Sequence, residues 1–206
     1  MSTNATKKEG EGFQVVTSTV AVLPMENIDT DQIIPARFLK ITDTAGVGAH
    51  LFEDLRRLPG GSLDPEFPLN RKEFRDAGIL LAGRNFGCGS SREHAAWALA
   101  GSGFHAVVSV SFADIFRNNA LKNGLLPVAV SEGTWKALAS VASRGGEVSV
   151  DLEKLEIRWQ GGATAFEIDA FARTCLLNGT DELGYILRQD EKIAAYERRH
   201  VREVLT

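Results

Sequence analysis

Hydrophobic positions along the chain fall into short runs of strand length, separated by segments with helical spacing. The first run, residues 13–23, is rich in valine and threonine and predicts one or two strands that end at Pro24. From residue 79 to residue 143, apolar runs alternate with amphipathic segments. The predicted strands are 79–82, 104–110 and 125–130, and the predicted helices start at about Ser90, Ser111 and Ser131. Ser111 and Asp114 have the spacing of a capping box, and Ser131 is predicted to cap the third helix. This alternation implies a parallel or mixed sheet covered by helices.

A different pattern follows, in which short strands are predicted at 147–151, 155–160 and 163–168, with a turn at Gly161-Gly162. Helices are predicted at about 169–177 and 181–200. Nearer the N-terminus we predict a loop at 27–35, a short amphipathic helix at 49–57 and a surface loop at 59–68. The sequence contains no internal repeat or interdomain linker, so we predict one α/β domain with a substantial antiparallel part.

Composition places the chain among ordinary globular proteins. Its 206 residues are 44% hydrophobic and 24% charged, enough for a core without metals or disulfides, and no apolar run approaches the length of a membrane span. The formal net charge of −4 argues against a nucleic-acid surface. Residues 1–12 are polar and lack the apolar region of a signal peptide. We therefore predict a disordered tail at 1–12, a single domain over 13–206 and a cytoplasmic location.

Two cysteines, Cys88 and Cys175, are too few for a disulfide framework. They are also too few to hold an iron–sulfur cluster without other help. We therefore expect this chain to bind no metal or cofactor by itself.

The segment 79–97 predicts a strand, a glycine turn and a helix. Ser90 and Glu93 have the spacing of a capping box, so Ser90 is predicted to be the N-cap of the helix. Backbone N–H groups near Gly87 and Gly89, together with the charge of Arg92, favour an anion, either phosphate or carboxylate. The turn lacks the third glycine of a dinucleotide fingerprint and the Gly-Lys-Ser/Thr of a Walker loop, so a nucleotide site is not indicated.

Three other features of the sequence have competing interpretations. His94 lies four residues after Ser90, but there is no Gly-x-Ser-x-Gly elbow, and we interpret His94 as a structural hydrogen-bonding residue rather than part of a serine hydrolase. Cys88 is interpreted as a small residue that packs under the loop. The triplet Asp29-Thr30-Asp31 lies between apolar residues, where two close acids repel unless they are paired; a simple Asx-turn is the alternative.

The run Asn-Phe-Gly-Cys-Gly-Ser-Ser-Arg-Glu-His-Ala at 85–95 resembles the family of 3-isopropylmalate dehydratase small subunits, which is similar to the mobile C-terminal domain of aconitase. Segments 27–35, 111–119 and 194–197 resemble the same family, so the resemblance covers nearly the whole chain. It implies a three-layer β/β/α swivelling domain.

The resemblance also implies roles for individual residues. Ser90 would be the base that moves a proton on and off carbon, and Arg92 would bind a substrate carboxylate. Ser91 would donate a hydrogen bond beside them. Asp31 would be an active-site carboxylate that orients the serine or a substrate hydroxyl, and Arg37 would be a second substrate-binding arginine.

The activity implied by the resemblance is a hydro-lyase reaction in leucine biosynthesis, which interconverts 2-isopropylmalate and 3-isopropylmalate through 2-isopropylmaleate. A large subunit would supply a [4Fe–4S] cluster and form a heterodimer or a higher assembly with this chain. The alternatives are a subunit of a homoaconitase or of a methylmalate or citraconate isomerase, or a non-catalytic anion-binding module. Lys40 could meet a third substrate carboxylate or be a surface lysine, so it does not decide between these substrates.

Overall fold

The computed structural model describes residues 12–74 and 76–200. The strands of this part of the chain are β1 Val15–Leu23, β2 Ile79–Ala82, β3 Ala106–Ser109, β4 Leu126–Ala129, β5 Glu147–Asp151, β6 Glu156–Trp159 and β7 Gly162–Ala165. The α-helices are α1 Thr30–Ile33, α2 Thr44–Gly48, α3 His94–Gly101, α4 Asp114–Lys122, α5 Glu132–Ala142, α6 Ala170–Asn178, α7 Glu182–Leu187 and α8 Asp190–His200.

The strands form one sheet in the order β4-β3-β2-β1-β5-β6-β7. β1 to β4 run parallel to one another, and β5, β6 and β7 form an antiparallel meander. The two halves share β1: its residues 20–23 pair in parallel with β2, whereas its residues 15–19 pair antiparallel with β5. This topology confirms the predicted α/β fold with a substantial antiparallel part.

Hydrophobic cores lie on both faces of the parallel strands. In β2, Leu80 and Ala82 face a core that includes Phe86 and Phe116, on the side of the first four helices. Ile79 and Leu81 face the other core, where they pack with residues of β5, α5 and α6. Every residue of β2 is buried, as expected for a parallel strand that is covered on both faces. The resulting layers are the antiparallel meander, the parallel strands and the helices.

The predicted helix at 49–57 is wrong, because the helix of this region is α2 and residues 50–55 form turns. Phe52 interrupts helical geometry with a φ of 53°, its side chain is fully buried, and its N–H donates to the carbonyl of Ile33 at 2.8 Å. A contact with a distant segment therefore overrides the local pattern. The predicted loop at 27–35 likewise contains one helical turn, α1.

The predicted helix at 181–200 is two helices, α7 and α8, separated at Arg188 and Gln189. The predicted tail at 1–12 lies outside the described residues except for Gly12. None of the helices in the described ranges combines the length and the hydrophobicity that a membrane span requires.

Candidate functional site

The glycine turn leaves the carboxyl end of β2 and passes over α4 before α3 begins. Gly87 has a φ of 77° and Gly89 a φ of 92°, in the left-handed region that favours glycine. A Cβ on Gly87 would lie 2.2 Å from Cγ of Phe116, which is buried. A side chain at residue 87 would therefore force the turn away from α4.

The segment that follows β1 runs beside this turn. The N–H of Gly87 donates to the carbonyl of Ile28 at 2.8 Å, and the N–H of Thr30 donates to the carbonyl of Cys88 at 2.9 Å. Asp29 starts α1 with a capping box, in which its Oδ1 accepts from the N–H of Gln32 at 2.8 Å and its own N–H donates to Oε1 of Gln32 at 2.9 Å. These bonds bring the triplet 29–31 and the serines of the turn together.

Asp31 and Arg92, two of the predicted site residues, form an ion pair between Oδ1 and Nη1. The Arg92 side chain is 21% exposed and that of Asp31 is 57% exposed, so the pair faces solvent at the mouth of the site. Asp31 therefore has the pairing partner that the two close acids of the triplet require. Its predicted contact with a serine or a substrate hydroxyl stays a prediction.

Ser90 is exposed, and its Oγ lies 3.0 Å from Oγ1 of Thr30. Thr30 Oγ1 also donates to the Ser90 carbonyl at 3.3 Å, and Thr30 is only 1% exposed. The buried Thr30 hydroxyl is therefore hydrogen-bonded to the exposed Ser90 hydroxyl and limits its movement. The sequence prediction did not assign a role to Thr30. The available signal was its position between two acids in an apolar segment, which indicated that the triplet as a whole had specific partners.

The prediction that Ser90 caps the helix is wrong. Helix α3 begins at His94, its N-cap is Glu93, and no side chain caps it. The Ser90 hydroxyl is held by Thr30, and the Glu93 carboxylate accepts from Nδ2 of Asn123 at 2.9 Å, so neither partner of the predicted capping box is available. The start of the α3 dipole is consequently four residues beyond Ser90, which leaves the backbone of the turn and Arg92 as the groups that favour an anion.

Helix α4 supports the turn from the side. Asn119 Nδ2 donates to the carbonyl of Ser91 at 3.3 Å, and Asn123 also accepts from Nε1 of Trp97 at 2.7 Å. The predicted capping box at Ser111 is wrong, because the N-cap of α4 is Ala113 and no side chain caps it. Ser111 Oγ instead accepts from the N–H of Asn85 at 2.9 Å, which ties the turn to the segment before α4.

Arg37, the second predicted substrate-binding arginine, pairs with a carboxylate of its own chain. It forms a bidentate ion pair with Asp54, with Nη1 3.0 Å from Oδ2, and its guanidinium lies 4.6 Å from the centre of the Phe38 ring. The hydrogen bond from Arg37 holds the pKa of the Asp54 carboxyl below its usual range. Both side chains are more than half exposed, so the pair is accessible, and a substrate-binding role for Arg37 stays a prediction.

The thiol and imidazole near the turn make packing contacts. Cys88 is half-buried and its Sγ donates to the carbonyl of Asn27 at 3.3 Å, and the His94 ring lies 4.6 Å from the Trp97 ring. Cys175 is buried in α6. In the part of the chain that the structure describes, no three His, Cys, Asp or Glu side chains are grouped to hold a metal. These donors do not fit a [4Fe–4S] cluster.

The chain is similar in sequence and structure to known proteins, and these similarities identify its family. The family model described as the aconitase C-terminal domain matches residues 11–133. A 3-isopropylmalate dehydratase small subunit of Chloroflexus aggregans is 54% identical over 95% of this chain and 98% of its own length. One from Anaeromyxobacter dehalogenans is 56% identical over 91% of this chain and 97% of its own length. The crystal structure of a 3-isopropylmalate dehydratase, LeuD, from Methanocaldococcus jannaschii matches with a TM-score of 0.65 and 30% identity, over 89% of this chain and 99% of that one.

Proposed function

Since this chain belongs to the family of 3-isopropylmalate dehydratase small subunits, we propose that it works with a large subunit to interconvert 2-isopropylmalate and 3-isopropylmalate through 2-isopropylmaleate. The reaction is a dehydration followed by a rehydration, and it belongs to leucine biosynthesis. The observation that carries the proposal is the grouping of Ser90 with Thr30 and of Arg92 with Asp31 at one turn.

Ser90 is the base that takes the proton from carbon. To act as this base, the exposed Ser90 hydroxyl first loses its proton to solvent, and a hydroxyl that donates a hydrogen bond to the resulting alkoxide stabilises it. The alkoxide then takes the proton from carbon and becomes a neutral hydroxyl again. The Oγ1 of Thr30, 3.0 Å away, is placed for this role. When Ser90 is neutral, the Thr30 proton points to the Ser90 carbonyl at 3.3 Å; rotation about the Cβ–Oγ1 bond directs it to the Ser90 oxygen instead.

Arg92 binds a carboxylate of the substrate. Its Nη1 is paired with Asp31, so Nη2 and Nε remain to face a ligand. A guanidinium presents its donors in a planar fork, which a carboxylate matches with two parallel hydrogen bonds. Asp31 keeps the plane of this fork fixed while the substrate binds. Ser91 lies between the base and the arginine and contributes a hydrogen bond to the same ligand.

Departure of the hydroxide needs a Lewis acid, which the donors of this chain do not supply. We assign that role to a [4Fe–4S] cluster in the large subunit. The turn at 87–91 therefore faces the large subunit in a heterodimer or a higher assembly, and we expect the complex to act in the cytoplasm.

The test is reconstitution of the purified chain with its cluster-bearing large subunit, followed by an isomerase assay. Ser90→Ala is expected to lower turnover by about 10²–10⁴. Because Ser90 does not cap α3, the melting temperature should stay close to that of the wild type.

Ser131→Ala is the matched control. Ser131 is the N-cap of α5, and its Oγ accepts from the N–H of Thr134 at 3.1 Å. Its loss should cost about 1 kcal/mol of stability and leave turnover unchanged. If Ser90→Ala behaved like Ser131→Ala, Ser90 would not be the base. A panel of isopropylmalate, homocitrate-type and methylmalate-type substrates compares the related hydro-lyases, and absence of turnover on all of them would favour an anion-binding module.

A further inference from the structure

Helix α7 exposes an apolar face. Leu183, Ile186 and Leu187 have the spacing of one helical face, and they are 62%, 53% and 65% exposed. Side chains of this size are normally buried, and three of them together on one short helix form a patch that a partner can cover.

The opposite face of α7 is fixed to the domain. The ring of Tyr185 meets Phe171 of α6 edge to face, with 4.9 Å between ring centres. Glu182 forms an ion pair with Lys122 at the end of α4, with 3.7 Å between Oε1 and Nζ. Asp181 caps the helix by accepting from the N–H of Gly184 at 2.7 Å. Tyr185 therefore lies on the side of α7 that packs on the domain, away from the apolar face, whereas the exposed ion pair of Glu182 lies at the flank of the helix.

This face continues from the Ser90 turn along α4. Asn119 of α4 contacts the carbonyl of Ser91, and Lys122, one helical turn farther on, pairs with Glu182 of α7. Ile115, one turn before Asn119, is 51% exposed. A partner that covers the turn therefore reaches α7 along a single surface.

Helix α7 lies beyond residues 11–133, which the aconitase C-terminal domain model matches, but within the 95% of the chain that matches the Chloroflexus aggregans small subunit. A domain within a longer chain meets its neighbours at an effective concentration of the order of millimolar, because the chain tethers it. A separate subunit has no tether, so it needs additional contact area to bind its partner at cellular concentrations.

We propose that the face formed by Leu183, Ile186 and Leu187 is a second contact surface for the large subunit, beyond the turn that carries the site. The identity of the partner rests on the proposed function. On the large subunit, we expect an apolar patch that covers α7. The turn at 87–91 meets the part of the large subunit that holds the cluster.

The test measures the dissociation constant of the wild-type chain and the large subunit, and then that of the triple variant Leu183→Asn, Ile186→Thr, Leu187→Asn. Asparagine is close in shape to leucine, and threonine keeps the β-branch of isoleucine without its terminal methyl, so the replacements mainly remove apolar character. Binding should weaken at least tenfold. Turnover at saturating large subunit should return to the wild-type value, because the face takes no part in the chemistry.

Val15→Thr is the matched control. Val15 is 46% exposed and lies at the start of β1, whereas the turn follows the carboxyl ends of the parallel strands. The Val15→Thr variant should bind the large subunit with the same dissociation constant as the wild type. Hydrogen exchange of the wild-type chain gives a second measurement that needs no variant: the side-chain contacts predict slower exchange of the 182–187 amides when the large subunit is added.

Unchanged affinity of the triple variant, or unchanged exchange in α7, would overturn the inference. So would a wild-type chain that forms homodimers which the variant loses while the affinity for the large subunit stays the same, since a second copy would then cover the face. If the variant weakens binding but the wild-type pair isomerises none of the substrates, the docking surface stands and the proposed reaction fails. If the pair is active and the variant binds normally, only the docking surface fails.

Discussion

The three consecutive residues Asp29, Thr30 and Asp31 have three separate partners. Asp29 caps α1, Thr30 contacts Ser90, and Asp31 pairs with Arg92. Because successive side chains at the start of a helix point in different directions, one short segment can hold the helix, the serine and the arginine at once. The triplet therefore connects the start of α1 to two residues of the candidate site, Ser90 and Arg92.

Arg92→Lys tests the carboxylate assignment. Lysine keeps a positive charge for Asp31 but cannot form two parallel hydrogen bonds to a substrate carboxylate. Loss of a charge-assisted hydrogen bond of about 1.5–3 kcal/mol predicts a fall of roughly 10- to 150-fold in kcat/KM. Arg84→Lys is the control, because Arg84 belongs to the same loop but pairs with Glu132. Steady-state kinetics that place both variants within a factor of two of the wild type would rule out the assignment.

Thr30→Val tests whether the buried hydroxyl supports the base. Valine has nearly the same shape, so the fold should remain, but the hydrogen bond to the Ser90 oxyanion is lost. If that bond contributes about 1.5–3 kcal/mol in the transition state, kcat should fall roughly 10- to 150-fold with little change in KM.

Thr30→Ser should restore most of kcat, which a purely structural role for the side chain would not require. Thr17→Val removes an exposed hydroxyl that donates to Ser149 Oγ at 3.1 Å, and it should leave kcat unchanged. An equal loss of kcat in the serine and valine variants of Thr30 would argue for packing rather than for hydrogen bonding.

At the scale of elements, the glycine turn depends on close packing against α4. Gly87→Ala would place a Cβ 2.2 Å from Cγ of the buried Phe116, at a φ of 77°. Overpacking and left-handed geometry together should cost about 2–4 kcal/mol of unfolding free energy. Gly89→Ala has similar geometry, with a φ of 92°, but its nearest atom is Asp29 Cβ at 3.3 Å, so about 1 kcal/mol is expected. Chemical denaturation measures the unfolding free energy of the two variants. Equal losses of stability in both would contradict the packing argument.

The parallel strands could be predicted from the sequence because burial on both faces imposes uninterrupted apolar runs such as Ile79–Ala82. The cap of α5 at Ser131 is confirmed for a similar reason, since its partner Thr134 is local. Ser90 and Ser111 have the same local spacing, but Thr30 and Asn85 compete for their oxygens from distant parts of the chain. A pattern in sequence cannot rank a local partner against a distant one.

The residues of the candidate site also divide into those that the sequence indicates and those that depend on contacts with distant segments. Ser90, Arg92 and Asp31 could be singled out because of the resemblance and their unusual setting, and the structure brings them to one turn. Thr30 has no charge and a strand-forming shape, so nothing in its type indicated a role. Only the resemblance singles out Arg37; its guanidinium pairs with Asp54, seventeen positions away, and its substrate-binding role stays a prediction.

At the scale of the whole molecule, the proposed function divides the active site between two subunits. The purified chain should be colourless, contain no iron and catalyse nothing until the large subunit is added. The physical reason is its donor set: aconitase-type clusters are held by three cysteine thiolates, and this chain has Cys88 on the turn and Cys175 in α6. Anaerobic iron and sulfide analysis is the measurement. A stoichiometric cluster, or isomerase activity without a partner, would contradict the division between two subunits.

The double role of β1 has a consequence for synthesis on the ribosome. Its residues 20–23 can pair with β2 as soon as about eighty residues have emerged, but the partner of residues 15–19 is β5, which begins at Glu147. For the time needed to translate the intervening segment, about 3–14 seconds at ordinary elongation rates, the first half of β1 is an open edge. An open edge can pair with another nascent chain. The polar side chains of this edge, Thr17, Ser18 and Thr19, lower its hydrophobicity. Pairing with another chain is therefore less favourable than it would be for an all-aliphatic strand.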